Sequence, residues 1–227
     1  METMSSTGQA KAKKQVVRKQ RSGYRQKWDT FTDWARAKGA IVLGPLARFI
    51  ARLGIHPNTI TIAGLILQIG VAVVFGLGYL TLGGWLLLAL SPVDALDGLL
   101  ARTVGKQSRF GAFLDSTVDR LSDTSLILGL TAFYIQQGAY LNVALLLISL
   151  VASMMISYIR ARAESLNFSC KVGLLTRVER LLVIGGLSAV GLHPLLPPVL
   201  AVFTVFTVIQ RMWHVYQASR QDEEQSQ

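Results

Sequence analysis

Three long stretches of this chain carry no formal charge, and they limit what it can fold into. Residues 53–93, 124–159 and 181–210 contain no Asp, Glu, Lys or Arg. One membrane-spanning helix needs about 20 predominantly apolar residues. Each stretch is too long for one span and suits a helical hairpin. Only 16% of the 227 residues are charged and the mean hydropathy is +0.42, whereas a soluble domain carries about 25% charged residues. The expected fold is an all-α integral membrane protein.

Each stretch holds a turn signal near its middle: Gly78-Tyr79-Leu80-Thr81 with Gly83-Gly84, then Gln136-Gln137-Gly138, then Gly191-Leu192-His193-Pro194. Glycine and proline punctuate helices in this way. The pattern predicts six transmembrane helices as three hairpins, over 58–78, 82–102, 111–134, 139–163, 178–192 and 195–218, within a domain spanning 55–218. Residues 1–27 are polar and basic, and are expected to be disordered. Residues 28–54 are read as an interfacial amphipathic helix. Pro45 can open it, Leu46, Phe49, Ile50 and Leu53 recur at helical spacing, and Arg48 and Arg52 lie on another face. Residues 219–227, with Asp222, Glu223 and Glu224, are expected to form a disordered polar tail.

Lys and Arg accumulate in cytoplasmic loops. Eight precede Trp28, and others cluster around Lys106 and Arg109, between Arg160 and Arg180, and at Arg211 and Arg220, while the three hairpin tips have none. Both termini and both long loops are therefore expected on the cytoplasmic side of the cell membrane. The net charge of +10 then reflects topology and attraction to anionic lipid, and no nucleic-acid partner is expected. The single cysteine, Cys170, excludes a disulfide within the chain. No signal peptide is expected, because the basic head leads into a mixed segment.

Between the first two charge-free stretches lies DALDGLLARTVGKQSRFGAFLDSTVDR, residues 94–120. Acidic groups in a membrane bundle are costly and mark function by default. Asp94 and Asp97 are three apart and share a helix face, continued by Ala101; Gly111, Asp115 and Asp119 are spaced by four and share another. The eight-residue loop 103–110 makes the two helices antiparallel, so the acidic faces can meet. Gly98 permits close backbone approach, Pro92 should bend the second helix, and Thr61 lies level with the acids. Four carboxylates without histidine or cysteine form a hard oxygen site suited to Mg²⁺ or Mn²⁺. Their mutual repulsion would be cancelled by two divalent cations, the usual device of phosphoryl chemistry, and nearby arginines suit phosphate. Asp–Arg pairs that only hold helices together, or an ion pathway, are the competing explanations. Asp123 extends the acidic row, as a supporting acid or as a partner for Arg120 or another basic side chain.

The stretch resembles the signature of the CDP-alcohol phosphotransferase family, D-x2-D-G-x2-A-R-x8-G-x3-D-x3-D, carried here by Asp94, Asp97, Gly98, Ala101, Arg102, Gly111, Asp115 and Asp119. The resemblance implies transfer of a phosphatidyl group from CDP-diacylglycerol to an alcohol, with release of CMP. It implies that Asp94, Asp97, Asp115 and Asp119 hold two Mg²⁺ or Mn²⁺ ions and that Asp119 is the general base. It also implies that Asn58, Thr61, Gly98, Ala101, Arg102 and Gly111 line the nucleotide site, and that the protein is a homodimer. The segment Ser157 to Glu164, with Glu179-Arg180 and Gln210-Arg211, resembles the bacterial phosphatidylinositol-phosphate synthases of that family. This implies that Arg160, Arg162 and Arg211 receive the phosphate of an acceptor such as inositol 1-phosphate. Val178 stands where those enzymes have proline. Glycerol 3-phosphate is the rival acceptor, and a membrane transporter or ion-binding scaffold is the rival of a different class.

Overall fold

The computed structural model describes Gly44, Pro45, Leu53, residues 55–91, Leu100 and residues 108–226. All of them belong to one compact unit, Lys38–Gln227. The expectations for residues 1–27, for most of the amphipathic helix at 28–54, and for Pro92, Asp94, Asp97, Gly98, Ala101 and Arg102 lie outside the described residues.

From Pro57 onward the fold is built on α1 (Pro57–Gly76), α2 (Leu80–Leu90), α3 (Arg109–Gln136), α4 (Tyr140–Ser165), α5 (Arg177–Ala189) and α6 (Leu196–Ser226). A 3-10 turn, His193–Leu195, precedes α6. Among the described residues there is no strand. Pro57 opens α1 at its first position, where a missing N–H costs nothing, and the His56 ring caps it by accepting from the Asn58 N–H at 3.3 Å. The three hairpins turn on the glycines expected from the sequence. Gly78, Gly138 and Gly191 have φ of +90°, +67° and +77°, a conformation that costs glycine little.

The helices of each hairpin are shared out among the others: α1 packs on α3, α2 on α5 and α4 on α6. The core between them holds Phe75, Leu87, Leu126, Ile127, Leu130, Leu146, Ile184, Leu196 and Leu200. Small residues let two of these pairs approach closely, as is usual between membrane helices. A β-carbon at Gly129 would stand 2.2 Å from the Ala72 carbonyl oxygen, and one at Gly84 would stand 2.4 Å from the Ala189 nitrogen. The outer surface is apolar as well, with Ile66, Trp85, Leu141, Val151 and Val202 all more than half exposed. An apolar core wrapped in an apolar exterior suits hydrocarbon, not water. Pro57–Gly76, Tyr140–Ser165 and His193–Glu224 are each long and apolar enough to cross a membrane.

The bundle has two distinct ends. At one, the Gln136 side chain donates to the Gly76 carbonyl at 2.9 Å and the Tyr134 hydroxyl to the His193 carbonyl at 2.7 Å, joining the three hairpin turns. At the other, α1 and α3 begin side by side. They therefore run parallel, and the acidic half of α3 lies far from the hairpin turns.

The structure departs from expectation at the C-terminus. α6 runs unbroken to Ser226, so the segment expected as a disordered tail is helical. No glycine or proline follows Pro198, the last turns are rich in good helix formers, and Arg220 lies over the Tyr216 ring at 5.9 Å.

Candidate active site

The site is assembled where α1, α3 and α5 begin. Ser108 caps α3 by accepting from the Gly111 N–H at 2.8 Å. A β-carbon on Gly111 would stand 3.5 Å from Asn58 Oδ1, so two of the residues expected around the nucleotide meet across α1 and α3. Thr61 is one turn further along α1. It is buried, and its hydroxyl donates to the Pro57 carbonyl at 3.3 Å.

Asp115, Asp119 and Asp123 follow Gly111 along α3 at intervals of four, which keeps them on one stripe. Their surroundings change with depth. The Asp119 side chain is 31% exposed and the Asp123 side chain 10%. α5 answers with two arginines three residues apart. Arg177 Nη1 lies 2.5 Å from Asp119 Oδ1, and its Nε lies 3.5 Å from Asp123 Oδ1. Arg180, itself 3% exposed, completes the cluster through an ion pair between its Nη2 and Asp123 Oδ2. The partners of Asp123 are therefore on α5. Arg120, the other candidate, turns back to the Ser116 carbonyl on its own helix. At this depth an unpaired charge would be severely penalised, so Asp123 serves to lock α3 to α5.

Arg177 and Arg180 were not singled out as site residues from the sequence. Their signal was an R-x2-R pair opening a helix, which matches the four-residue carboxylate spacing on α3. At the same helix start the Thr176 hydroxyl donates to the Glu179 carboxylate.

The arginines expected at the acceptor fall into two groups. Arg160 and Arg162 are exposed near the end of α4, with Arg160 in a 3.0 Å ion pair to Glu164. Arg211 is only 4% exposed, and it donates from Nε to the Val172 carbonyl at 2.8 Å and from Nη1 to the Ile156 carbonyl at 2.5 Å. Cys170 is buried within electrostatic reach of Arg211 and Arg160. Burial pushes its thiol up, and Arg211 and Arg160 partly offset this.

Among the described residues no three acidic, histidine or cysteine side chains gather into a metal-holding group. Asp115 and Asp119 are the described half of the four-carboxylate motif. Both offer hard oxygen donors on one helix face, partly accessible to solvent, and so fit Mg²⁺ or Mn²⁺.

Residues 54–215 match the CDP-alcohol phosphatidyltransferase family. The chain belongs to this family. It is 39% identical over 172 residues to the archaetidylinositol phosphate synthase of Methanothermobacter thermautotrophicus, covering 73% of this chain and 86% of that one. It is 38% identical over 199 residues to the phosphatidylinositol phosphate synthase of Cutibacterium acnes, covering 81% of this chain and 96% of that one. Its fold matches the crystal structure of the Mycobacterium tuberculosis phosphatidylinositol phosphate synthase with CDP-DAG bound, at a TM-score of 0.70 and 35% identity, over 76% of this chain and 92% of that one. The same synthase in complex with manganese and citrate matches at 0.70 as well. Membership makes the chain an all-helical membrane phosphatidyltransferase, and the matched residues run from before α1 into α6.

Proposed function

We propose that this phosphatidyltransferase moves a phosphatidyl group from CDP-diacylglycerol to the hydroxyl of a phosphorylated polar alcohol, with inositol 1-phosphate the best fit, and releases CMP. The observation that carries this reading is the Asp115–Asp119 face, set beside the Asn58–Gly111 contact and faced by Arg177. It combines carboxylates for metal and base with a bare glycine backbone beside the Asn58 amide and a guanidinium for phosphate.

In this reading Asp94, Asp97, Asp115 and Asp119 hold two Mg²⁺ or Mn²⁺ ions. When bound, these ions supply charge neutralisation at the donor pyrophosphate. Asn58, Thr61, Gly98, Ala101, Arg102 and Gly111 line the nucleotide. Asp119 accepts the proton of the acceptor hydroxyl as its oxygen bonds to the diacylglycerol-side phosphorus. The bond from that phosphorus to the bridging oxygen breaks, and CMP leaves with the electron pair. Arg160 and Arg162, exposed at the end of α4, take the acceptor's phosphate. Arg211 contributes through Nη2, since Nε and Nη1 are committed to backbone carbonyls. A position at the bundle end away from the hairpin turns lets lipid enter sideways while the acceptor arrives from water. By the distribution of Lys and Arg this end faces the cytoplasm, in a cell membrane crossed six times, and the protein works as a homodimer.

The test is CMP release from CDP-diacylglycerol by purified protein with Mg²⁺, offered inositol 1-phosphate, glycerol 3-phosphate, inositol or serine. Release with inositol 1-phosphate alone is expected. Chelation by EDTA should abolish it and added Mn²⁺ restore it. Asp119→Asn should lower turnover by about 10²–10⁴, the usual worth of a general base. Release only with glycerol 3-phosphate would replace the acceptor and keep the mechanism. Release that survives EDTA would overturn the role of the metals.

A further inference from the structure

A membrane helix that carries four polar side chains on one face needs a reason, because each must find a partner away from water. Thr207, Gln210, Arg211 and His214 of α6 recur at helical spacing, and all four grip the backbone between α4 and α5. Thr207 Oγ1 accepts from the Leu175 N–H at 3.1 Å, and Gln210 Oε1 accepts from the Leu174 N–H at 3.1 Å. Arg211 Nε donates to the Val172 carbonyl at 2.8 Å, and His214 Nε2 lies 3.0 Å from the Ser169 carbonyl. As the α6 numbers rise the loop numbers fall, so the loop lies antiparallel along about 10 Å of helix.

The segment is seated from both sides. Asn167, at φ +66°, ends α4 in the left-handed conformation usual just past a helix. Cys170 is fully buried and Leu175 is 5% exposed. A β-carbon on Gly173 would stand 3.1 Å from the Thr207 methyl and 3.2 Å from Arg211 Nη2, so the strap lies flat against the arginine. Two residues beyond the last fastened N–H, at Leu175, comes Arg177, the partner of Asp119.

We infer that Thr207, Gln210 and His214, together with the Nε of Arg211, have a positioning role beside the phosphate contact proposed for Arg211 Nη2. By strapping the α4–α5 loop to α6, they set where Arg177 stands against Asp119 and so organise the acceptor side of the reaction. Apolar packing alone would hold the loop against the helix but leave it free to slide. Four directional hydrogen bonds to backbone atoms fix its register. The inference rests on the transferase reading above.

Cys170 is the chain's one cysteine and sits inside the strap, so its labelling by a maleimide reports strap release without any reference to activity. Thr207→Val and Gln210→Met remove one acceptor each, whereas Thr207→Ser and Gln210→Glu keep it. In full-length protein in detergent, the first pair should speed Cys170 labelling by about tenfold, the size expected for one lost hydrogen bond. It should also raise the KM for inositol 1-phosphate while leaving the KM for CDP-diacylglycerol unchanged. The second pair should behave as wild type. Gln210 is only half-buried, so its variants carry the test even if the fully buried Thr207→Val does not fold. Unchanged labelling, faster labelling with an unchanged acceptor KM, or a parallel rise in both KM values would each overturn the inference. A wild-type protein that releases no CMP would fail the transferase reading instead, and the labelling result would stand by itself.

Discussion

Replacing Gly129 by alanine adds one methyl group, and the structure says that there is no room for it. The new β-carbon would stand 2.2 Å from the oxygen, 2.8 Å from the carbonyl carbon and 2.9 Å from the α-carbon of Ala72. These are backbone atoms of α1 and cannot turn aside. The two helices must separate by about 1 Å, and forcing groups into a packed interface costs about 1–3 kcal/mol. Alanine returns about 1 kcal/mol through its better helix propensity. The net expectation is a loss of about 0–2 kcal/mol. Gly70, on the same helix as Ala72, provides the control, because nothing lies within 4 Å of its β-carbon position. Gly70→Ala should gain the propensity term alone, about 1 kcal/mol. In a chain of this size 1 kcal/mol moves the melting temperature by about 2–4 °C. The two variants should therefore melt about 2–12 °C apart in detergent, with Gly129→Ala the lower. Since α1 also carries Asn58 to Gly111, Gly129→Ala should release CMP more slowly. If Gly129→Ala melts at or above Gly70→Ala, the close approach of α1 and α3 is wrong.

Two further predictions concern charge and protonation. Arg180→Met strands Asp123 at a nearly buried position, and should cost about 3 kcal/mol in thermal melting, moderated by the nearby Arg177; Asp123→Asn in the same protein should recover part of the loss. Because burial raises the Cys170 thiol pKa, the proton is held more tightly in the folded state. Its contribution to stability is complete below the ordinary thiol pKa and is lost as pH rises through the raised value. Melting temperature should therefore fall more steeply in alkaline buffer for wild type than for Cys170→Ala, and equal slopes would refute the assignment.

Much of the architecture was legible because the bilayer imposes a coarse rule. A hairpin's length, its uncharged run and its central glycine are all readable, and Gly78, Gly138 and Gly191 stand at the turns. What could not be read was partnership between hairpins. The sequence showed Asp123 on the acidic stripe but not that its partners would come from α5, because a pair separated by 57 residues leaves no local periodicity. The polar face of α6 formed by Thr207, Gln210, Arg211 and His214 was not read from the sequence, because its partners are backbone atoms, which have no sequence signature. Arg211 shows the limit of reasoning from charge alone. A cation at the mouth of a phosphate site invites one role, and the structure gives two of its nitrogens to carbonyl groups. The helical end of α6 was missed because polar composition suggests disorder, and here helix propensity won.

The exchange of partners among hairpins also has a consequence for how the protein is made. α2 packs chiefly on α5, but every residue between Leu90 and Arg177 must be synthesised before α5 begins to emerge. At a translation rate of about 5–20 residues per second this takes roughly ten seconds. During that time the slot at Gly84, shaped for the backbone of Ala189, faces lipid or the insertion machinery. The nascent chain therefore passes through a stage in which α2 is in the membrane without its partner α5, with small residues exposed to any other helix able to fit them.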